Sequence, residues 1–256
     1  MIDARAVIDS SAKLAPGVSV GPFAIIGPGV EIGEGTSIGP HAVITGPTRI
    51  GRDNKIYAFA SIGCDPQDKK YEAEPTTLDI GDRNVIREYC TISRGTVQDE
   101  GVTRIGDDNW IMAYVHIAHD CRIGSNTIFA NSASLAGHVW VEDHVILGGF
   151  TLVHQFCKIG AHSFSALGTV INKDVPPFIM ISGNMAEAHG LNTEGLKRRG
   201  FSVETLLELR RAYKTLYRSG LTLEQAVAQL EVAAQGCAEV GQFAAFLKGV
   251  TRGIVR

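Results

Sequence analysis

The sequence lacks the features of membrane, secreted and disordered proteins. No run approaches the roughly 18 apolar residues that a membrane-spanning helix needs, and Asp3 and Asp9 lie where a secretory signal has a basic end and an apolar block. We therefore expect a cytoplasmic protein with no transmembrane segment. Aromatic residues make up only 7% of the 256 residues, but 45% are hydrophobic, which suffices for a sizeable core.

Cysteines are few and unpaired in the sequence. Their odd number and the absence of any CxxC motif argue against a disulfide framework and a structural zinc site. They are Cys64, Cys90, Cys121, Cys157 and Cys237.

A dense positive charge, which nucleic-acid binding requires, is also absent. Residues 1–184 contain 14 Lys and Arg against 20 Asp and Glu, a formal charge of −6, whereas residues 185–256 contain 10 against 7, a charge of +3. We therefore expect no nucleic-acid partner. The densest basic segment, LKRRG at 196–200, is either a solvated helix face or a patch for a phosphate or an acidic partner.

A six-residue repeat is the dominant pattern of the chain. An aliphatic residue recurs every six positions from Ile2 to Ile62, again from Ile80 to Ile92, and, after a one-residue phase shift, from Ile105 to Ile171 with few exceptions. A helix of 3.6 residues per turn cannot hold such a stripe, whereas a short strand followed by a corner can. Three of the cysteines lie two residues before a repeat position, so we interpret them as small core residues.

The repeat predicts an all-β parallel β-helix, in which three hexapeptides form each coil of a triangular prism. Handedness does not follow from the pattern. The repeat resembles that of left-handed β-helix proteins, and this resemblance implies a left-handed β-helix.

The repeat also predicts the domain organisation. Residues 1–183 should form the β-helix, with two loops extruded near 64–78 and 93–104, where the repeat is interrupted. Residues 184–256 should form a C-terminal α-helical domain. Helix signals there are an N-cap at Ser202 with a stop at Gly220, a capping box of Thr222 and Gln225, and a third helix over 242–248.

Histidines cluster in the later repeats and suggest chemistry. His119, in HIAHDC at 116–121, lies two residues past an inward position, so its ring should point out of the core and could act as a general base. Asp120 or a backbone carbonyl could fix its tautomer. His138 follows Asp120 by three hexapeptides, which make one coil, so Gly137 should lie beside His119 and could donate its N–H to an oxyanion.

A metal site is the alternative use of these histidines. Hexapeptide prisms such as the gamma-type carbonic anhydrases bind zinc through histidines of neighbouring coils and subunits. His116, His119 and His138 would be the ligands here, although no zinc-binding sequence motif is present.

Several segments together resemble the bacterial UDP-N-acetylglucosamine O-acyltransferases, which catalyse the first step of lipid A synthesis. They include IGRDNKIYAFASIG at 50–63, HIAHDC at 116–121, LAGHV at 135–139, VHQFCKIGAH at 153–162 and NTEGLKRRGFS at 192–202. The resemblance covers essentially the whole chain. It implies a homotrimer with sites between subunits, acyl carrier protein as donor, UDP-N-acetylglucosamine as acceptor, and no metal or redox cofactor.

The resemblance also implies roles for individual residues. His119 matches the catalytic base, and Gly137 matches the backbone donor to the oxyanion. Asp68 and Lys70 match contacts from the first loop into a neighbouring subunit's cleft. The sugar-nucleotide contacts are matched by His116, His138, His154 and Gln155. In the tail, the family has residues that hold the acyl hydroxyl, the uridine or the phosphates. The residues of this chain that match them are Asn192, Glu194, Arg198 and Arg199.

Two positions depart from the family pattern. Ser93 stands where the family often has His, which puts one substrate contact in doubt. Leu167 stands where some members have Gly at the floor of the acyl pocket, so we expect this residue to shorten the pocket to a chain of about ten carbons rather than fourteen.

Three other functions compete with the transferase. The N-acyltransferase of the same pathway carries an additional N-terminal domain, for which we expect no room because the repeat begins at Ile2. The second is the zinc hydratase described above. The third, a structural or ice-binding prism, needs a regular outer face, which the two interruptions break.

Overall fold

Three parallel β-sheets form the faces of a long prism, and the computed structural model describes all of residues 1–256. As far as Ile171, successive strands belong to successive sheets, so each strand from the fourth onward pairs with the third one before it. Val7 of the first strand pairs with Ile25, three hexapeptides further along the chain, which is one coil. Repeat residues such as Ile44 and Ile62 are fully buried and fill the interior. The sequence-based prediction of a hexapeptide β-helix is confirmed.

The strands are short, and most have two or three residues. The first sheet contains β1 (Val7–Ile8), β4 (Ile25–Ile26), β7 (Val43–Ile44), β10 (Ser61–Cys64), β13 (Thr91–Ser93), β16 (His116–Ile117), β19 (Ser134–Leu135), β22 (Leu152–Val153) and β25 (Val170–Ile171). The second contains β2 (Lys13–Leu14), β5 (Val30–Ile32), β8 (Thr48–Ile50), β11 (Thr77–Ile80), β14 (Val102–Ile105), β17 (Arg122–Ile123), β20 (Trp140–Val141) and β23 (Lys158–Ile159). The third contains β3 (Ser19–Val20), β6 (Ser37–Ile38), β9 (Lys55–Ile56), β12 (Val85–Ile86), β15 (Trp110–Ile111), β18 (Ile128–Phe129), β21 (Ile146–Leu147), β24 (Phe164–Ser165), β26 (Ile179–Ser182) and β27 (Glu187–Leu191).

Strand register explains the two interruptions of the repeat. Ser61 pairs with Thr91, so the first loop adds two hexapeptides to the three of an ordinary coil. Thr91 pairs with His116, so the second loop adds one hexapeptide and one further residue. Whole hexapeptides keep the phase of the repeat, whereas a single extra residue moves it. The second loop therefore causes the one-residue phase shift in the sequence.

Each coil turns at three corners, and the corners stack into three edges of the prism. The His119 edge consists of the turns at 119–120, 137–138 and 155–156; the His162 edge of those at 143–144, 161–162 and 177–178; and the Leu167 edge of those at 131–132, 149–150 and 167–168. The second residue of each of these turns has a positive φ, for example 59° at Asp120 and 61° at His138. Such a backbone turns the chain tightly at these corners.

Helices follow the prism. They are α1 (Thr193–Arg198), α2 (Val203–Arg218), α3 (Leu223–Ala233) and α4 (Ala238–Lys248), with a 3-10 turn at Ala234–Gly236. Ser202 caps α2 by accepting from Thr205 N, and the capping box of Thr222 and Gln225 begins α3, as the sequence predicts. None of these helices is long and apolar enough to cross a bilayer.

The tail also differs from the sequence-based expectation. The third predicted helix begins at Ala238, earlier than the predicted start at 242, and neither α1 nor the antiparallel pair of β26 and β27 was predicted. Since β27 ends at Leu191, the proposed domain boundary at 183/184 falls between the two strands of this pair.

The last coil is closed on all three faces by the segment after residue 172. Val170 N donates to Gly183 O and Ala186 N donates to Val170 O on the first sheet. The second sheet is continued by bridges from Ile159 to Val175 and from Asp174 to Ile254. On the third sheet β27 occupies the edge.

Candidate active site

His119 and Asp120 form a hydrogen-bonded pair at the corner that follows β16. The Nδ1 atom of His119 lies 2.8 Å from Oδ2 of Asp120, whose side chain is 1% exposed. Thr96, in the second loop, donates to the same carboxylate from its backbone N at 2.8 Å and its hydroxyl at 2.6 Å. Burial alone would raise the pKa of Asp120, but the hydrogen bonds from His119 and Thr96 outweigh it and hold that pKa below its usual range.

The charge of Asp120 decides the tautomer of His119. A carboxylate only accepts hydrogen bonds, so in the neutral imidazole of His119 the proton is on Nδ1 and Nε2 has the lone pair. The sequence left Asp120 and a backbone carbonyl as alternatives, and the geometry selects Asp120.

Gly137 lies against the ring of His119. A Cβ atom at this glycine would lie 2.6 Å from Cε1 and 2.8 Å from Nε2 of His119, so no side chain fits there. The N–H of Gly137 donates no hydrogen bond within the chain, whereas the next residue, His138, donates from N to the carbonyl of His119 at 3.0 Å. A residue with a free backbone N–H therefore lies against the Nε2 side of the His119 ring.

Two cavities meet at His119. The first, of about 750 Å³, is polar and is lined by Gln67, Asp68, Lys69, Lys70, Gln98, Asp99, His119, His138, Gln155 and Phe156. The second, of about 520 Å³, runs over the first sheet and is more apolar; its lining includes His116, Leu135, Gly137, Leu152, Val153, His154 and Met185. The shape suits a substrate with a polar part and a long apolar part.

The first loop contributes to the polar cavity of its own chain. Asp68 and Lys70 line the space next to His119 of the same chain, whereas the resemblance implied contacts with a neighbouring subunit's cleft. Arg94, which is 6% exposed, holds this loop by donating to Gly63 O at 2.6 Å and to the hydroxyl of Tyr71 at 2.9 Å, and it also pairs with Asp65. Sequence analysis did not single out Arg94, although this residue lies at the start of the second interruption of the repeat.

The other residues predicted near His119 line one or the other cavity. The Nδ1 of His116 lies 2.7 Å from the hydroxyl of Thr91, and burial, with a smaller effect of His119, lowers the pKa of His116. His154 lines the apolar cavity and Gln155 the polar one. Ser93 is fully buried, 3.6 Å from Sγ of Cys64, and lines neither.

The predicted tail residues lie on a different edge of the prism from His119. Asn192 caps α1 and donates from Nδ2 to the carbonyl of His162 at 2.9 Å. Arg199 donates from Nη2 to the carbonyl of His144 at 2.8 Å, and Glu194 pairs with Lys197. Arg198 is exposed and makes no ion pair or hydrogen bond through its side chain. One chain therefore does not bring these residues to its own His119.

Leu167 is strongly exposed. Its side chain is 74% exposed on the Leu167 edge, next to Gly149, and it lines neither cavity at His119. Its role at the floor of an acyl pocket stays a prediction.

One group of three side chains could hold a metal ion. Ligand atoms of His119, Asp120 and His138 lie within 4.8 Å of one another. The sequence-based alternative named His116 instead of Asp120, but His116 faces Thr91. Asp120 already accepts hydrogen bonds from His119 and Thr96, which is the arrangement of a hydrogen-bonded acid–base pair.

We expect the His162 edge to make the fold sensitive to acid. Burial, and then the neighbouring His144 and Arg199, lower the pKa of His162 to about 4. The unfolded chain binds a proton at this histidine below about pH 6.5, whereas the folded chain does so only near pH 4, so stability is complete above pH 6.5 and falls as the pH drops to 4. The loss is at most about 3 kcal/mol from this residue.

Urea unfolding of the parent and of His162→Phe at pH 7.5, 6, 5 and 4 measures this loss. Phe keeps the stacking on His144 and Phe178 but cannot be protonated. The variant should lose less stability than the parent over this range. Equal losses would exclude His162 as the cause.

Known proteins are similar to this chain along its whole length. A family model described as Udp N-acetylglucosamine O-acyltransferase; Domain 2 matches residues 174–255, and one described as Bacterial transferase hexapeptide (six repeats) matches residues 11–46 and 103–137. The acyl-acyl-carrier-protein–UDP-N-acetylglucosamine O-acyltransferase of Thiobacillus denitrificans is 60% identical, covering 100% of this chain and 99% of that protein. The protein of the same name from Stutzerimonas stutzeri is 58% identical at the same coverage.

Solved structures of UDP-N-acetylglucosamine acyltransferases are similar to this chain over its whole length. A UDP-N-acetylglucosamine O-acyltransferase from Moraxella catarrhalis superimposes with a TM-score of 0.98 at 45% identity, covering 100% of this chain and 99% of that one. The UDP-N-acetylglucosamine acyltransferase of Francisella novicida gives 0.98 at 43% identity, covering 100% and 94%. The left-handed β-helix that the resemblance implied is confirmed by these neighbours.

Proposed function

Because the chain belongs to the UDP-N-acetylglucosamine O-acyltransferase family, we propose that it transfers a 3-hydroxyacyl chain from acyl carrier protein to the 3-hydroxyl of UDP-N-acetylglucosamine. This reaction is the first step of lipid A biosynthesis. The observation that carries the chemistry is the pair of His119 and Asp120, because it leaves an unprotonated imidazole nitrogen where the two cavities meet.

His119 is the general base of the proposed reaction. Its Nε2 accepts the proton of the sugar hydroxyl while the hydroxyl oxygen attacks the carbonyl carbon of the thioester. Asp120 stabilises the resulting imidazolium through Nδ1. When the tetrahedral intermediate collapses, the carbon–sulfur bond breaks and the imidazolium returns the proton to the leaving thiolate. The ester and the free thiol of the carrier are the products.

Gly137 stabilises the negative charge of the intermediate. Its N–H has no acceptor within the chain, so it can donate to the oxyanion that forms beside His119. Because a side chain at this position would collide with the imidazole, glycine also allows the donor and the base to approach each other closely.

A neighbouring subunit completes the site. Asn192, Arg198 and Arg199 lie on the His162 edge, away from the His119 edge of the same chain. Nucleotide contacts from these residues therefore require a second chain packed beside the first, in keeping with a homotrimer. Of the two arginines, only Arg198 has a guanidinium without a partner in its own chain, so we assign the diphosphate contact to Arg198.

A transfer assay with the purified full chain tests the proposed function. 3-Hydroxyacyl carrier protein and UDP-N-acetylglucosamine should give the O-acyl product by mass spectrometry, also in the presence of a chelator. The analogue without the 3-hydroxyl is the matched control acceptor and should give none. Failure to acylate the normal acceptor, or acylation of the deoxy analogue, would contradict the assignment.

Leu167 should limit the length of the acyl chain. Its side chain occupies space that glycine would leave open, and a hydrophobic pocket discriminates by about 1–3 kcal/mol per methylene. We expect the parent to prefer a ten-carbon donor over a fourteen-carbon donor by at least about tenfold in kcat/KM, and Leu167→Gly to narrow or reverse this preference.

Rates on the two donors, measured for the parent and the variant, check this expectation. Leu207→Ala, which changes another exposed leucine on α2, is the control and should keep the parental preference. Equal rates of the parent on both donors would remove Leu167 as the determinant of length.

A further inference from the structure

We propose that Asp99 is a positioning residue that fixes the imidazole of His138 in the polar cavity and thereby supports binding of the acceptor. The inference rests on the proposed function, because it assigns His138 to the acceptor side of that site. Asp99 lies in the second loop, between β13 and β14, and no sequence signal pointed to it.

The ring of His138 is constrained on its face and its edge. It stacks on Phe156 with ring centroids 4.5 Å apart and an interplanar angle of 11°, and it meets the ring of His119 edge-on at 90°. Stacking alone fixes the plane of a ring but not which nitrogen points into the cavity. A hydrogen bond to one nitrogen settles that orientation.

Asp99 provides this hydrogen bond. Its Oδ2 lies 3.1 Å from Nδ1 of His138, so Nδ1 donates to the carboxylate. The opposite nitrogen, Nε2, then points toward the catalytic pair, 3.7 Å from Oδ2 of Asp120. Asp99 therefore holds the Nε2 edge of His138 beside the pair of Asp120 and His119, in the lining of the polar cavity.

Asp99 is itself held in place from the second sheet. Its other oxygen, Oδ1, lies 3.3 Å from Nη2 of Arg122, and the guanidinium of Arg122 stacks over the ring of Trp140 at 4.6 Å. The two oxygens of the Asp99 carboxylate thus have separate partners. Oδ1 contacts Arg122, which is held by Trp140, and Oδ2 contacts His138 in the polar cavity. This division makes the carboxylate a rigid support rather than a mobile surface charge.

Asp99→Ala should raise KM for UDP-N-acetylglucosamine by about three- to tenfold, as expected for one hydrogen bond between charged or polar groups, and change kcat by less than about twofold. Asp99→Asn, which can still accept through its carbonyl, should recover part of the loss. Glu100→Gln is the matched control, because Glu100 is the adjacent carboxylate and contacts Arg122 but not His138. It should keep parental kinetics.

Two measurements separate a positioning role from a general structural one. In the His138→Ala background, Asp99→Ala should have no further effect on KM; a full additional loss would overturn the proposal. The imidazole ¹⁵N signals of His138 are identified as those that disappear in His138→Ala. They should show a protonated Nδ1 in the parent and in Glu100→Gln, and a changed pattern in Asp99→Ala. An unchanged pattern would also overturn it. If the parent proved inactive, the proposed function would fail, and the ¹⁵N signals alone would decide the contact.

Discussion

Replacing His119 by alanine is expected to lower kcat by a factor on the order of 10²–10⁴, because the reaction loses its general base. The fold should persist, since the ring lies outside the core and its side chain is 14% exposed at the cavity. The loss should appear in kcat more than in KM, because the proton is transferred in the transition state and not on binding.

Steady-state transfer rates, together with thermal unfolding of the same samples, measure this effect. His189→Ala is the control, because His189 is an exposed histidine on β27 that lines neither cavity. It should keep the parental rate. A folded His119→Ala variant with near-parental turnover would exclude this imidazole as the base.

Gly137→Ala should lower kcat by about 10²-fold, although it adds a single methyl group. That methyl would lie within 2.8 Å of two atoms of the His119 ring, and the ring cannot yield freely because Asp120 holds its Nδ1. Either the imidazole turns away from the acceptor or the backbone donor retreats from the oxyanion. A displacement of about 1 Å at a reacting centre has an effect of this size.

The comparison variant is Gly236→Ala, where an added Cβ meets no atom within 4 Å. It should change neither turnover nor stability appreciably. Parental turnover in Gly137→Ala would show that the base and the glycine are not held together as described. Circular dichroism and the unfolding transition distinguish a local effect from a loss of fold.

The sequence predicted the prism because its core is periodic. Every inward residue repeats after six positions, and a residue and its neighbour on the next coil are three repeats apart, so the proximity of His119 and Gly137 could be anticipated from counting alone. The helix caps at Ser202 and Thr222 could also be predicted, because capping depends on residues three positions apart. Local and periodic contacts are thus visible in a sequence.

Contacts made by the loops could not be predicted in the same way. Thr96 contacts Asp120, Arg94 contacts Tyr71, and Asp99 contacts His138. The loop segments that bring these residues together have no six-residue repeat. The pair of β26 and β27 was missed for the same reason. The hydrogen bond from Arg199 to the carbonyl of His144 follows no repeat either, so the sequence did not predict that this guanidinium has a partner in its own chain.

The closure of the last coil has a consequence for self-association. A parallel β-helix ends in three open rows of N–H and C=O groups, and an identical chain could add to them and polymerise end to end. Here residues 174–186 and Ile254 occupy those rows on the first two faces, and on the third face the edge strand β27 packs against α2, whose Tyr213 donates to the carbonyl of Ala188. The C-terminal segment therefore acts as a terminator of strand addition, and it limits the length of the column to a single molecule at that end.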